Sequence, residues 1–260
     1  MNVINKLIQK FRVNTIFRIF FGNRLYLDGP YDSYKIAKEH SDGYQSSEIL
    51  EKVYKATEEV LNKKALWERD GTAFYTEKPK LRMLEILSKY YKKGDCIVDF
   101  GGGLGGLFLN NQDIFLPNKN LYIIEQENFI RKGLKICSKY NLELNFCDSL
   151  LNVKLHPYIV IFSSVLQYIP NHNSIIKSVN ELGPKYIFID RTCFTNRKEI
   201  YWWVQQVKNY YSINISYPVC PLNLDSILKL LCHYKLIETW YNSFDPKFPK
   251  HRGLLLEKCL

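Results

Sequence analysis

The chain has 260 residues, of which 46% are hydrophobic and 24% are charged, so it is long enough to bury one large core. Its net charge of +10 favours an anionic partner, and because the aromatic residues sit mostly in apolar runs, we expect no nucleic-acid binding. The seven cysteines are scattered without a Cys-x-x-Cys spacing, which predicts reduced thiols in a cytoplasmic protein and no metal site.

The first 27 residues are basic and amphipathic, with five basic side chains and no acidic one before Asp28. One helical face carries the apolar side chains of Ile4, Leu7, Ile8 and Phe11. Two interpretations remain open: residues 1–24 contact the inner membrane as an interfacial helix, or their apolar face packs on the rest of the protein. No apolar run is long enough to span a bilayer, so we expect a cytoplasmic protein, with peripheral membrane contact under the first interpretation.

Residues 44–75 precede the first predicted core strand and mix charged with aromatic side chains. Their turn, Glu68-Arg69-Asp70-Gly71, suits a lid over a ligand, although a surface turn fits these residues as well. We therefore divide the chain into a helical N-terminal extension or lid (residues 1–75) and a main domain (residues 76–260). Arg69 is a candidate substrate-binding residue in this lid.

A short apolar strand ends at Asp99 and runs into the glycine loop of residues 101–106. Glycines after a strand let a ligand contact the backbone, and the N–H groups of such a loop suit a polar or anionic ligand. The spacing fits both the dinucleotide fingerprint and the pattern Asp-x-Gly-x-Gly-x-Gly. Because Asp99 would repel a pyrophosphate but could orient a cation, we favour S-adenosylmethionine. The predicted cofactor contacts are Asp99, Gly101, Gly103 and Gly105.

Four further apolar segments follow at helix-length spacing, and each ends on polar residues. Glu125 ends the second strand about 20 residues after the glycines, where a carboxylate binds the hydroxyls of an adenosine ribose. Asp148 and Ser149 end the third, where an acid accepts a hydrogen bond from the adenine amino group. Ser164 follows the fourth strand and Asp190 ends the fifth. Five such strands predict a parallel α/β sheet that binds its ligand at the carboxyl edge.

Aromatic residues are concentrated after the fifth strand, where Trp202 and Trp203 are followed by Tyr210, Tyr211 and Tyr217. Aromatic rings stack on sugar rings, so this segment suits glycan binding. A core or dimer contact explains the same residues equally well, and the sequence does not define the oligomeric state.

The chain resembles class I S-adenosylmethionine-dependent methyltransferases, and within them a bacterial family found among surface-polysaccharide genes. The matching segments are Glu68-Arg69-Asp70-Gly71, Asp99-Phe100-Gly101-Gly102, Glu125-Gln126, Ser163-Ser164-Val165-Leu166-Gln167-Tyr168, Asp190-Arg191-Thr192 and Ser216-Tyr217-Pro218. The resemblance runs from about residue 43 to the C-terminus. It implies a Rossmann-like seven-stranded fold, with a helix near residues 224–233, a strand near 236–240 and an antiparallel last strand near 253–258. It also implies O-methylation of a sugar or glycan.

A sulfonium methyl group is already activated, so the transfer needs mainly alignment and exclusion of water. A hydroxyl acceptor gains from a positioned base, and the candidates are Asp190, Tyr168 and His172. Asp190 alternatively holds Arg191, which leaves Arg191 to bind an acidic group of the substrate. The acceptor would be a small molecule or a glycan.

Two other function classes stay open. A nicotinamide-dependent oxidoreductase or sugar-nucleotide epimerase would use Gly101, Gly103 and Gly106 with Glu125 on the ribose. Asp99 and the Asp148-Ser149 position argue against it, and no Tyr-x-x-x-Lys pair of the epimerase kind follows the glycine loop. A non-catalytic scaffold that keeps the fold is the third interpretation.

Overall fold

The computed structural model describes residues 25–42, 47–207, 215–241 and 251–259. The strands are β1 (Leu25–Tyr31), β2 (Trp67–Arg69), β3 (Thr72–Phe74), β4 (Ile97–Phe100), β5 (Leu121–Ile124), β6 (Asn145–Cys147), β7 (Ile159–Ser163), β8 (Tyr186–Thr195), β9 (Trp202–Val207), β10 (Ile215–Val219), β11 (Leu222–Asn223), β12 (Tyr234–Tyr241) and β13 (His251–Lys258). The α-helices are α1 (Tyr34–Glu39), α2 (Ser47–Leu61), α3 (Arg82–Tyr90), α4 (Gly106–Leu109), α5 (Gln112–Phe115), α6 (Glu127–Tyr140), α7 (His172–Leu182) and α8 (Leu224–Leu230). Short 3-10 turns lie at Leu150–Asn152 and Leu166–Tyr168.

The central sheet has the strand order β12-β13-β8-β7-β4-β5-β6, and the short strand β11 pairs with β8 beside this path. Strands β4 to β8 pair in parallel, whereas β13 is antiparallel to both β8 and β12. The predicted parallel centre with an antiparallel last strand is confirmed, and α8, β12 and β13 lie where they were expected. The predicted count of seven strands fits the continuous path but misses β11.

The central strands are apolar on both faces because helices cover both sides of the sheet. Neighbouring side chains of a strand point to opposite faces, so they divide between two hydrophobic clusters. Val98, Val160 and Ile187 belong to one cluster. Ile97 and Ile159 belong to the other, and all five residues are fully buried. This burial explains why these strands read as continuous apolar runs in the sequence.

Strands β1, β9 and β10 form a separate antiparallel sheet, which we call the cap sheet. The ring of Tyr217 on β10 meets that of Tyr168 edge to face, with 5.2 Å between centroids. Beyond β10, the backbone N–H of Cys220 donates to the carbonyl of Gln167 at 2.8 Å. Because the 3-10 turn that holds Gln167 and Tyr168 follows β7, the cap sheet packs at the carboxyl edge of the central sheet.

The N-terminal extension is not purely helical. Residues 25–75 contain α1 and α2, but also β1 of the cap sheet and the β2–β3 hairpin. The prediction missed β1 because its partner β9 lies far along the chain. Residues 1–24, with the predicted membrane contact, lie outside the described residues, as do Tyr44, Tyr210 and Tyr211. The boundary between residues 75 and 76 stays a prediction. Within the described ranges, no helix is long and apolar enough to cross a membrane.

Candidate active site

The glycine loop follows β4, and three of its glycines have positive φ angles that favour glycine: 74° at Gly101, 60° at Gly103 and 86° at Gly105. A Cβ atom at Gly101 would lie 2.4 Å from Cγ2 of Val165, and one at Gly105 would lie 3.1 Å from Cδ1 of Leu144. At Gly103 no described heavy atom lies within 4 Å of this position. Gly101 and Gly105 therefore serve close packing, and the backbone of Gly103 is the part open to a ligand.

Glu125 follows β5 and connects this strand to the glycine loop. Its Oε1 accepts a hydrogen bond from the backbone N–H of Gly103 at 3.1 Å, and its Oε2 accepts one from the N–H of Gln126 at 2.9 Å. Burial raises the pKa of Glu125, and these two N–H donors oppose the shift. The carboxylate is thus held in one orientation, and each oxygen keeps a further lone pair for a ligand hydroxyl.

Asp99 lies at the end of β4 and is 3% exposed. Its Oδ2 would be 2.5 Å from a Cβ atom at Gly102, so the carboxylate lies directly against the loop. Burial raises the pKa of Asp99 to about 7, and the nearby charge of Glu125 adds to this effect, whereas Arg191 opposes it. Asp99 is therefore a buried carboxyl that gains from a cation nearby.

Asp148 and Ser149 follow β6, the strand beside β5 in the sheet. Asp148 is exposed, and its Oδ1 accepts a hydrogen bond from Nδ2 of Asn152 at 2.6 Å. Ser149 begins the 3-10 turn at Leu150–Asn152. The pair thus lies at the same sheet edge as Glu125, one strand further along.

The loop after β7 meets β8 at a polar cluster. Nε of Arg191 donates to Oγ of Ser163 at 3.2 Å and lies 3.8 Å from Oδ2 of Asp190. The backbone N–H of Ser164 donates to the carbonyl of Asp190 at 2.9 Å. Ser164 and Arg191 have φ angles of 57° and 48°, a left-handed conformation that costs about 1–3 kcal/mol in a non-glycine residue and that clusters at functional sites.

Asp190 is 4% exposed, and its carboxylate is engaged by several neighbours. Oδ1 accepts a hydrogen bond from Nε1 of Trp240 at 2.8 Å, while Oδ2 accepts one from Oγ of Ser163 at 3.4 Å and faces Arg191. These contacts favour the interpretation in which Asp190 positions Arg191 over the one in which it removes a proton.

The other two candidate bases occupy different environments. Burial raises the pKa of Tyr168 and outweighs the opposing hydrogen bonds from Gln167 and Ser164, so its hydroxyl is protonated at neutral pH. The positive charge of Arg191 also opposes the rise of its pKa. His172 is buried at the start of α7, where its Nδ1 lies 2.8 Å from the carbonyl oxygen of Ile169. Tyr168 therefore lies at the polar cluster that contains Ser164. The described contacts of His172 are with residues next to the start of its own helix.

The β2–β3 hairpin, which carries Arg69, packs beside the glycine loop through Glu68. Asp70 and Gly71 form its two-residue turn, both with positive φ, and Trp67 stacks on Phe74 at 3.9 Å between ring centroids. Burial lowers the pKa of His251 to about 4, and the positive charges of Arg191 and Arg69 add to this effect. The positive charges of two arginines from distant parts of the chain therefore both act on His251.

Trp202 and Trp203 lie on β9 of the cap sheet, both partly buried. Trp202 packs edge to face on Tyr34 of α1 with 4.9 Å between ring centroids. Trp203 lies against Gly29 of β1, where a Cβ atom would be 3.2 Å from its ring. Trp202 thus joins α1 to the cap sheet, and Trp203 packs within the sheet. Gln205 of the same strand donates to the hydroxyl of Tyr217 at 2.7 Å.

Across the described parts of the chain, no group of three or more His, Cys, Asp or Glu side chains is arranged to hold a metal ion.

No protein-family model matches the sequence, and no curated protein matches it. The fold is similar to that of an S-adenosylmethionine-dependent methyltransferase from Clostridium acetobutylicum, with a TM-score of 0.50 and 12% identity over 68% of this chain and 89% of that one. A methyltransferase from Methanosarcina mazei has a TM-score of 0.49 at 13% identity, over 67% of this chain and 97% of its own. An N1-methyltransferase from Burkholderia thailandensis, crystallised with S-adenosylhomocysteine, has a TM-score of 0.47 at 11% identity, over 68% and 76%.

The sheet order and the similarity to the Clostridium structure show a Rossmann-like fold of the kind seen in that methyltransferase. This confirms the predicted fold class at the level of architecture. At 12% identity the similarity concerns the fold alone.

Sequence reasoning missed three polar residues of this edge: Glu68, Trp240 and His251. Glu68 was visible in the predicted lid turn, yet its contact with the glycine loop depends on how the hairpin folds back. The indole of Trp240 reaches Asp190 across an intervening strand, and no spacing in the sequence indicates this.

Proposed function

We propose that this chain is an S-adenosylmethionine-dependent methyltransferase. The observation that carries the proposal is the carboxylate of Glu125, held by the N–H groups of Gly103 and Gln126 beside the open backbone of Gly103. A carboxylate fixed at this strand end is suited to the two hydroxyls of a ribose. The methyltransferase fold of the chain supports the same function.

The residues fit the cofactor part by part. Glu125 would bind the ribose, and Asp148 with Ser149 would bind the adenine at the neighbouring strand end. The loop is shaped by Gly101, Gly103 and Gly105. Ser164, which follows β7, would be a further cofactor contact. Asp99 is buried against the loop, and its carboxylate would gain from a ligand that carries positive charge. When bound, the cofactor supplies an activated methyl group.

For the acceptor we propose a hydroxyl of a sugar or glycan in cell-surface polysaccharide synthesis. Arg191 and Arg69 would bind an acidic group of this acceptor, since both act on His251 at one edge of the site. Tyr168 would donate a hydrogen bond to the acceptor, because its raised pKa keeps the hydroxyl protonated. Trp202 and Trp203 support the cap sheet that would cover the acceptor.

Asp190 and His172 remain proposals for proton transfer. Asp190 already serves Trp240, Ser163 and Arg191, so we assign it first to positioning Arg191. When the acceptor hydroxyl loses its proton only after methyl transfer has begun, a base contributes little to the rate. Alignment of the acceptor and exclusion of water then provide most of the acceleration.

Residues 1–24, outside the described part, carry the proposal of a peripheral contact with the inner membrane. Their basic and apolar residues suit an interfacial helix that would bring a cytoplasmic enzyme to a lipid-linked acceptor.

Calorimetry with the full chain tests the function. We expect S-adenosylhomocysteine to bind in the micromolar range and NAD or NADP to give no binding heat. Binding of a nicotinamide cofactor alone would overturn the proposal in favour of an oxidoreductase, and binding of neither would favour a scaffold. A screen with labelled methyl donor against sugar nucleotides and lipid-linked glycans then tests the acceptor class, and transfer to proteins or small heterocycles only would contradict it.

A further inference from the structure

Glu68 is a buried carboxylate that lies against the glycine loop. It sits on β2 and is 8% exposed. A Cβ atom at Gly106 would lie 2.5 Å from Oε1 of Glu68. Gly106 is therefore a glycine because the side chain of Glu68 occupies the space above it. The contact joins the β2–β3 hairpin to the loop that would hold the cofactor.

The side chain of Asn110 fixes the hairpin backbone at Glu68 with two hydrogen bonds. Oδ1 of Asn110 accepts a hydrogen bond from the backbone N–H of Glu68 at 3.0 Å, and Nδ2 of Asn110 donates to its carbonyl at 2.8 Å. The N–H of Gly71 interacts with the carboxylate and opposes the rise of its pKa. The backbone of Glu68 is thus fixed before any ligand binds, which reduces the entropy lost on binding.

One oxygen of this carboxylate has no hydrogen bond in the described structure. Oε2 of Glu68 is buried and has no donor among the described residues. Burial raises the pKa of Glu68 to about 7, and the charge of Asp70 adds to the effect, whereas Arg69 opposes it. A buried acceptor without a donor is costly and is uncommon in folded proteins. Oε1 of the same carboxylate lies over Gly106, so a molecule bound at the glycine loop would be the source of the missing donor.

We propose that Glu68 binds the α-ammonium group in the amino-acid part of S-adenosylmethionine, and this assignment rests on the function proposed above. The ribose already has a matched carboxylate in Glu125 on the β5 side of the loop. Of the two cationic groups of the cofactor, the sulfonium has no hydrogen to donate, whereas the ammonium carries three. The ammonium is therefore the group that can satisfy Oε2.

If Glu68 binds the ammonium group, substituting Glu68 should remove this contact and leave the other cofactor contacts unchanged. Calorimetry should compare S-adenosylhomocysteine with its deamino analogue, in which hydrogen replaces the ammonium group. The wild-type chain should prefer S-adenosylhomocysteine by about tenfold to hundredfold, the scale of one hydrogen bond to a charged group. In Glu68→Gln this preference should fall to within about threefold, while the affinity for the deamino analogue stays unchanged.

Two further variants keep the result interpretable. Glu77→Gln changes an exposed carboxylate just after the same hairpin and should keep the full preference. Glu68→Asp retains the charge and should keep part of the preference even where the amide variant folds poorly, as judged by its melting curve. A Glu68→Gln protein that keeps the full preference, or loses affinity for both ligands equally, would overturn the assignment. Absence of S-adenosylhomocysteine binding to the wild-type chain would instead overturn the proposed function itself.

Discussion

Nε1 of Trp240 donates a hydrogen bond to Oδ1 of Asp190 at 2.8 Å, although the two residues lie on strands that are not neighbours. Trp240 is on β12 and Asp190 on β8, and β13 runs between them. The indole crosses β13 at Gly253, where a Cβ atom would lie 1.8 Å from its Cε2. This arrangement ties the outer strands of the sheet to the carboxylate that faces Arg191.

Trp240→Phe removes the indole N–H but keeps an aromatic ring over Gly253. We expect the free energy of unfolding to fall by about 1.5–3 kcal/mol, because buried Asp190 loses one hydrogen bond to its carboxylate. Urea denaturation measures the change. Tyr241→Phe, on the same strand but exposed, should stay within about 0.5 kcal/mol of wild type. Equal effects of the two substitutions would contradict a special role for Trp240.

Gly253→Ala places a methyl group where the indole lies. We expect a loss of at least about 1–3 kcal/mol of unfolding free energy, since neither the strand nor the buried ring can move far. In a Trp240→Leu background the same alanine should cost much less, because the ring is gone. Urea denaturation of the two single variants and the double variant gives the coupling energy. Additive effects would show that Trp240 is not what excludes the side chain.

Long apolar runs made the central sheet predictable, because each strand is buried on both faces and the glycine loop follows the first of them directly. Contacts between distant segments were not predictable in the same way. Strand β1 pairs with β9, and Glu68 meets Gly106 through the hairpin. Such contacts depend on tertiary packing, and neither periodicity nor spacing encodes them. Gly101 illustrates the limit: the sequence indicates that a glycine is required, but only the structure shows that Val165 requires it.

Glu125→Ala should weaken S-adenosylhomocysteine binding by about 1.5–3 kcal/mol, the scale of hydrogen bonds to a charged group. The melting temperature without ligand should change little, because the carboxylate is partly exposed and its protein partners are backbone N–H groups at the strand end. Calorimetry and thermal unfolding measure the two effects separately. Glu127→Ala, an exposed acid on the first turn of α6, is the matched control. Unchanged affinity in Glu125→Ala would leave Glu125 without a role in binding.

Gly101→Ala and Gly103→Ala should separate packing from ligand access. Both residues have positive φ, so each alanine costs about 1–2 kcal/mol of backbone strain. Gly101→Ala should cost more, because its methyl group meets Val165, and the added Val165→Ala substitution should recover part of the stability. Gly103→Ala should mainly lower the affinity for S-adenosylhomocysteine. Melting curves and calorimetry test this division, which an identical profile for the two variants would contradict.

The pH dependence of stability should reveal the buried carboxyl of Glu68. Its pKa in the folded chain is about 7, above the ordinary value of 4.5. Between these two values the folded state holds a proton that the unfolded state has released, so this group lowers stability as the pH rises from about 4.5 to about 7. Above pH 7 the full penalty is on the order of 3 kcal/mol.

Glu68→Gln cannot ionise, so its unfolding free energy should rise relative to wild type as the pH increases from 5 to 8. Asp99, whose pKa is also about 7, is present in both proteins and cancels in the difference. Urea denaturation at several pH values measures this difference, and Glu77→Gln should show no comparable trend because the residue is exposed. If the difference in unfolding free energy between the two proteins does not depend on pH, burial does not raise the pKa of Glu68. A rising difference, together with the loss of ammonium selectivity, would mean that the chain tolerates a destabilising carboxylate because the cofactor needs it.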